Sequence, residues 1–269
     1  MRGKFKDKVI IITGASSGIG RELALQLAEQ GAKLSLGARN EEKLKEVASK
    51  CKELGGEAIY KRTDVSEKED CKALIDHTIK EYSKIDVLVN NAGITMWARF
   101  DEIEDISIFE KIIKVNYLGS VYCTYYALPY LKETKGLIVG ISSLTGKNGV
   151  PTRTAYSASK HAMAGFFDSL RIELSDSGVD ITMIYPGFVS TDIRKNALGK
   201  DGKPLRESHI SEAGVMDVRT CVDKIIKAME KRKRELVMGI KGKAGIFLKP
   251  FFPALIDKIA KRAIEKGKT

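Results

Sequence analysis

Thr13-Gly14-Ala15-Ser16-Ser17-Gly18-Ile19-Gly20 is the stretch whose reading decides the fold. It follows the apolar run Val9-Ile10-Ile11-Ile12 and leads into Arg21-Glu22-Leu23-Ala24-Leu25-Gln26-Leu27-Ala28. The pattern predicts a turn between a buried strand and an amphipathic helix. Glycines at 14, 18 and 20 permit positive φ and carry no Cβ, so backbone N–H groups at the positive end of the helix, that of Ile19 among them, can reach the oxygens of a pyrophosphate. Ser16 and Ser17 add hydroxyl donors. The plainer alternative is a strand-to-helix turn that simply needs flexible residues.

At 269 residues and 43% hydrophobic content, the chain fits one large α/β domain. No run of 18 apolar residues is present, so no helical membrane span is expected. The apolar run after the charged start Met1–Lys8 stops at Thr13-Gly14, too short for a signal-peptide core, and a cytoplasmic location is expected. Cys51, Cys71, Cys123 and Cys221 match no zinc or redox spacing, and His77, His161 and His209 are equally scattered, so neither metal nor disulfide chemistry is expected. The formal charge of +11 is uneven: residues 221–269 hold 14 Lys/Arg against 5 Asp/Glu, a net +9. This argues against nucleic-acid binding over the whole domain. It favours a local electrostatic role, or merely a solvated surface, at the C-terminus.

Seven β-type runs, Val9–Ile12, Lys33–Gly37, Ala58–Arg62, Val87–Asn90, Leu137–Ser142, Asp180–Tyr185 and Glu235–Gly239, alternate with helix-length segments. They predict a doubly wound parallel sheet of about seven strands over residues 1–240, with ligands at the strands' carboxyl ends. Residues 241–269 are predicted to be a basic amphipathic extension. After the second strand comes Gly37-Ala38-Arg39-Asn40, where a domain preferring NAD usually places an acid for the ribose 2′-hydroxyl. Ala38 stands there instead, and Arg39, with Asn40 beside it, can fork onto a 2′-phosphate, which points to NADP(H). An ordinary surface arginine is the alternative. After the fifth strand comes Ser142-Ser143, then Tyr156-Ser157-Ala158-Ser159-Lys160, whose Tyr and Lys lie one turn apart on a helix. A cation beside a phenol favours the phenolate and draws its titration toward a range useful for proton transfer.

Taken together, the long-spaced glycine motif, Asn90-Asn91-Ala92-Gly93, Ser143 and the Tyr156/Lys160 pair resemble the short-chain dehydrogenase/reductase family along nearly the whole chain. The Ser-Ser-Leu-Thr-Gly-Lys and Ala-Tyr-Ser-Ala-Ser-Lys stretches look most like its hydroxysteroid dehydrogenase branch. The resemblance implies that Tyr156 is the acid/base and that Ser143 orients the substrate oxygen. It gives Lys160 the lowering of the tyrosine's pKa and the nicotinamide ribose, and Asn116 a water chain that resupplies the proton. It also implies that Asp64 and Val65 contact the adenine, although Asp64 reads equally as a helix N-cap. Asn91, Ala92 and Gly93 would let backbone approach the cofactor. Pro186, Gly187, Val189 and Thr191 would hold the nicotinamide carboxamide.

Asp192 to Gly214 has the length and polarity of a substrate lid, and Met96 and Trp97 are candidates to line the cleft. In the tail, Leu255, Ile256, Ile259, Ala260, Ala263 and Ile264 form one helical stripe opposite Lys258, Lys261, Arg262 and Lys266. That helix would meet an anionic membrane surface, cap an apolar cleft, form a subunit contact or pack in the core. The resulting expectation is an NADP(H)-dependent oxidoreductase interconverting a ketone and a secondary alcohol on a lipophilic, steroid-like or acyl substrate, as a homodimer or homotetramer. Two alternatives remain at this level: a reductase of 3-oxoacyl chains on an acidic carrier protein, and a non-catalytic NADPH sensor.

Overall fold

The computed structural model describes residues 3–206 and 215–266, the side chains of 265 and 266 excepted. Residues 207–214 of the expected lid, His209 among them, and Lys268 therefore lie outside the described residues, as does the Lys266 side chain. The order is β1 Val9–Thr13, α1 Gly18–Ala28, β2 Lys33–Ala38, α2 Glu41–Glu53, β3 Glu57–Arg62, α3 Lys68–Tyr82, β4 Val87–Asn90, α4 Ser107–Ile113, α5 Gly119–Thr134, β5 Leu137–Ile141, α6 Thr154–Glu173, β6 Asp180–Tyr185, α7 Val218–Glu230, β7 Glu235–Val237, α8 Ile240–Leu248 and α9 Pro253–Lys266.

The seven strands form one sheet in the order β3-β2-β1-β4-β5-β6-β7, with all pairings parallel. Chain order reverses between β1 and β4, which register as Ile10 with Val87 and Ile12 with Val89, so a crevice opens past their carboxyl ends. Continuous Val/Ile runs are what a strand covered on both faces requires, and β1, β4 and β5 are buried throughout. Ile10 and Ile12 pack with Leu23 and Leu27 of α1 on one side. Ile11 faces Leu74 and Ile75 of α3 on the other. Each such side chain contributes about 1.5–3 kcal/mol by burial.

Helix starts follow local chemistry. Asn40 Oδ1 accepts from Lys43 N–H at 2.9 Å and begins α2, and Asp217 Oδ1 accepts from Thr220 N–H at 2.8 Å and begins α7. The N-cap reading of Asp64 is not what forms: Glu67 precedes α3, and Asp64 Oδ1 instead accepts from both the backbone N–H and the hydroxyl of Ser66, at 3.0 and 2.7 Å. Its short side chain is better placed to close its own turn.

The expected single stripe of the tail divides. Ile256 and Ile264 are buried, whereas Leu255 and Ile259 are exposed, as are Phe247, Phe251 and Phe252. The extension touches the loop after β5. A Cβ at Gly242 would stand 2.8 Å from the Leu144 side chain, and Lys249 Nζ donates to the Lys147 carbonyl at 3.0 Å, so α8 rests on the loop that follows β5.

Candidate active site

The glycine loop forms one wall of the crevice. Gly14 and Gly18 take φ +65° and +53°, which only glycine adopts without strain. A Cβ on Gly20 would lie 2.4 Å from the Gly14 carbonyl oxygen and 2.5 Å from Asn91 Nδ2, so this glycine lets α1 approach the end of β4. Ser17 precedes α1 in extended backbone and makes no side-chain cap, and the first turn carries no acid. The helix therefore presents uncapped N–H groups to the crevice, which suits a phosphate. Thr191 lies over the loop, 3.2 Å from where a Gly18 Cβ would be. Arg39 and Asn40 are exposed just past the last residue of β2, with the Asn40 carbonyl committed to capping α2. These features fit a dinucleotide lying across the switch point.

Asn91 and Thr13 tie the two central strands at that point. Asn91 Nδ2 donates to the carbonyls of Thr13 and Gly14 at 2.8 and 3.2 Å, while Thr13 Oγ1 accepts from the Asn91 and Ala92 N–H groups at 3.0 and 3.1 Å. Asn116 is not an ordinary mid-helix residue. It lies in a π-helical turn, Lys114–Leu118, between α4 and α5 and is fully buried. Its Oδ1 accepts from Ile94 N–H at 2.8 Å, and its Nδ2 donates to the Ile94 carbonyl and to Ser159 Oγ, both at 2.9 Å. A residue disfavoured by local propensity is thus held by three hydrogen bonds.

Ser143, Tyr156 and Lys160 converge from two elements. Ser143 lies two residues past β5 in extended backbone, and its loop is held by Leu144 N–H donating to the Pro186 carbonyl at 2.9 Å. Tyr156 and Lys160 lie on α6, 9% and 3% exposed. Lys160 Nζ donates to the Ile141 carbonyl at 2.8 Å and lies 5.9 Å from the centre of the Tyr156 ring. Val189 is buried past β6, while Pro186 and Gly187 continue that strand toward Leu144 and Thr191. The electrostatics differ from the sequence expectation that Lys160 lowers the phenol. Burial pushes Tyr156 above its usual range, offset in part by the Arg153 charge and the Ser143 hydroxyl, while burial lowers Lys160 to about 8. Desolvation outweighs attraction here because both groups lie under protein rather than water.

Arg153, which sequence reading passed over, is 7% exposed. It stands three residues before Tyr156, and its Nη1 donates to Thr95 Oγ1 at 2.9 Å. The guanidinium carbon lies 4.7 Å from the Trp97 ring centre and 5.9 Å from that of Tyr156. Met96 is fully buried and pairs with Leu198 of the lid segment, so Trp97, rather than Met96, is the open member of that pair. Only the position of Arg153, ahead of the Tyr-x-x-x-Lys pair, would have marked it in the sequence.

Fold and site together define a dinucleotide-dependent oxidoreductase. The short chain dehydrogenase family matches residues 8–201, and the chain belongs to that family, within its hydroxysteroid dehydrogenase-like branch. It is 39% identical over 257 residues to an "11-beta-hydroxysteroid dehydrogenase A" of Arachis hypogaea, covering 93% of this chain and 73% of that one. An alcohol dehydrogenase from Thermococcus sibiricus, solved with 5-hydroxy-NADP, superposes with TM-score 0.74 at 27% identity, covering 87% of this chain and 96% of the other. A short chain dehydrogenase/reductase of Burkholderia phymatum, solved with NAD, shares the fold with TM-score 0.82 at 24% identity, covering 94% and 96%. The protein is accordingly a dehydrogenase/reductase of alcohol and ketone groups that uses a nicotinamide cofactor.

Proposed function

We propose that the protein is an NADP(H)-dependent oxidoreductase that interconverts a ketone and a secondary alcohol on a lipophilic substrate, with Tyr156 as the acid/base. The observation that carries this reading is the convergence of Ser143 and Tyr156 beside a crevice walled by an uncapped helix N-terminus. When bound, the nicotinamide supplies a hydride to the carbonyl carbon or accepts one from the alcohol. Tyr156 Oη–H donates its proton to the carbonyl oxygen, and the Ser143 hydroxyl orients that same oxygen. A phenol whose burial keeps it protonated is suited to donating.

Lys160 would hold the ribose through its ammonium and offset the developing phenolate, and Asn116 would support the water chain that resupplies the proton. Since the two solved relatives carry one cofactor with the 2′-phosphate and one without, the choice rests on this chain's own residues. Ala38 at the end of β2 offers no carboxylate to a ribose 2′-hydroxyl, and exposed Arg39 offers a fork to a 2′-phosphate. Asp64, accepting from the adenine amino group, with Val65, the Asn91–Gly93 backbone, and the Pro186–Val189 backbone with Thr191 would complete the contacts, and the working unit would be a homodimer or homotetramer. The test is NADPH consumption over steroid, acyl and small carbonyl substrates beside a Tyr156→Phe control. Turnover that survives in the control, or none over the whole panel while NADPH binds, would refute the catalytic assignment.

A further inference from the structure

Among the described residues no carboxylate pairs with the charge next to Tyr156. Arg153 is enclosed by three segments: the start of α6, residues 95–98 beyond β4, and the lid segment after Thr191. The lid segment lies along 95–98 through Leu198 N–H donating to the Thr95 carbonyl and Trp97 N–H donating to the Leu198 carbonyl, both at 2.9 Å. Among the described residues the partners of the Arg153 side chain are one hydroxyl, that of Thr95, and the faces of Trp97 and Tyr156. None of these is an anion. Arg194, from the lid segment, is 8% exposed and adds positive charge to the same neighbourhood.

A buried guanidinium is costly unless an anion accepts from it, and it offers five N–H donors in one plane, of which a single hydrogen bond to protein uses one. Aromatic faces attract a cation but do not neutralise it. Functional clefts are where such unbalanced groups collect, and a planar fork is matched best by a carboxylate held through two hydrogen bonds.

We propose that Arg153 anchors an anion subsite beside Tyr156, and that the substrate is an amphipathic oxo acid whose carboxylate lies at the same end as the reacting carbonyl. The proposal rests on the reading of Tyr156 as proton donor, and it replaces a neutral steroid-like ligand with an acidic one. Burial lowers Arg153 to about 10, with Arg194 acting in the same direction, so a bound carboxylate would restore it and lessen the repulsion between the two arginines. Trp97 supplies an apolar face at the same place.

Trp97 is the single tryptophan of the chain, so its emission reports directly on the ring that Arg153 covers. The full-length protein, with and without NADPH, is titrated with decanoate and with decanol, which has the same tail and no charge. Decanoate is expected to change the emission saturably and to bind at least about ten-fold more tightly than decanol. Arg153→Met should erase that preference, and Arg153→Lys, which keeps the charge but not the fork, should weaken decanoate about ten-fold. In turnover, Arg153→Met should raise KM for a medium-chain oxo acid about ten-fold more than KM for its methyl ester.

Equal binding of decanoate and decanol overturns the proposal. So does an Arg153→Met that lowers kcat alike for acid and ester with both KM values unchanged, since Arg153 would then act only on Tyr156. If Arg153→Met does not fold, an Arg153→Lys with wild-type decanoate affinity is equally decisive. Failure of the underlying reaction is distinguishable: no carbonyl compound would then be reduced, whatever the outcome of the decanoate titration.

Discussion

Replacing Lys160 with Met is expected to abolish turnover and, without dinucleotide, to flatten the pH dependence of stability. The folded chain holds this ammonium at 3% exposure, and burial alone moves its pKa from 10.5 to about 8. That difference, at 1.36 kcal/mol for each pH unit, is about 3 kcal/mol. Between about pH 8 and 10.5 the unfolded chain keeps the proton that the folded chain has released. The unfolded state therefore binds more protons, and stability rises with pH across this window. Below pH 8 both states are protonated, and the folded chain bears the whole cost.

Methionine removes the charge but also removes the donor to the Ile141 carbonyl, a loss of about 1–3 kcal/mol that does not vary with pH. Near pH 7 the variant should therefore lie within about 2 kcal/mol of wild type, on the stable side. Toward pH 10.5 the wild type should gain about 3 kcal/mol on it. Urea unfolding of both proteins at several pH values measures this. The difference between them cancels groups that burial raises in both, such as Tyr82 and Cys51. A difference that stays constant from pH 8 to 10.5 would refute the burial cost assigned to Lys160.

Tyr156→Phe should lower kcat about 10²-fold or more while leaving NADPH affinity near wild type, measured by steady-state kinetics and fluorescence titration; near-normal turnover would exclude it as the acid. Arg39→Ala should reduce kcat/KM about ten- to hundred-fold with NADPH and little with NADH, and equal losses would make Arg39 structural. Gly20→Ala places a Cβ 2.4 Å from the Gly14 carbonyl oxygen, so α1 must shift; a stability loss of about 1–3 kcal/mol and weakened NADPH binding are expected by thermal unfolding and titration. The exposed Phe247, Phe251, Phe252, Leu255 and Ile259 lie among Lys243, Lys249, Lys258 and Arg262. At about 1 kcal/mol per basic residue this surface should sediment with anionic vesicles in a salt-sensitive way and lose that property on truncation after Gly239; recovery in the soluble fraction at low salt would argue for a subunit contact instead.

The fold was legible because each strand is a short apolar run and each turn carries its own chemistry. All seven strands start within one residue of where hydrophobicity places them, as in Val9–Thr13 against Val9–Ile12, and β7 departs most at its end, Val237 against Gly239. Helix pattern failed where burial is decided at long range. The tail stripe divides into buried Ile256 and Ile264 and exposed Leu255 and Ile259, and α8 just before it lies against Leu144 and Lys147, about a hundred residues away in the chain, a contact no periodicity encodes. Gly20 was legible as glycine, but the reason for it, the approach of α1 to Asn91, depends on β4 pairing beside β1. Asn116 looked unfavourable in a helix because its partners, Ile94 and Ser159, come from other elements.

The electrostatics of the site were the least legible part, and for one reason. A lysine one turn from a tyrosine suggests attraction when read in water, where charges are already solvated, yet in the folded chain removal of that solvent is the largest effect on Tyr156, Lys160 and Arg153 alike. All three effects favour the neutral form: the phenol stays protonated, and Lys160 and Arg153 carry their charges at a cost. Such a site is destabilised when empty and is relieved by anything negative that enters it. Binding of the dinucleotide and of an acidic substrate should therefore stabilise the fold in proportion to RT ln(1 + [L]/Kd). Part of that gain should come from restored protonation of Lys160, so NADPH binding near pH 8 is expected to take up protons. Calorimetry in two buffers of different ionisation enthalpy measures the uptake directly; a binding enthalpy independent of buffer at pH 8 would show that Lys160 is already charged in the free protein.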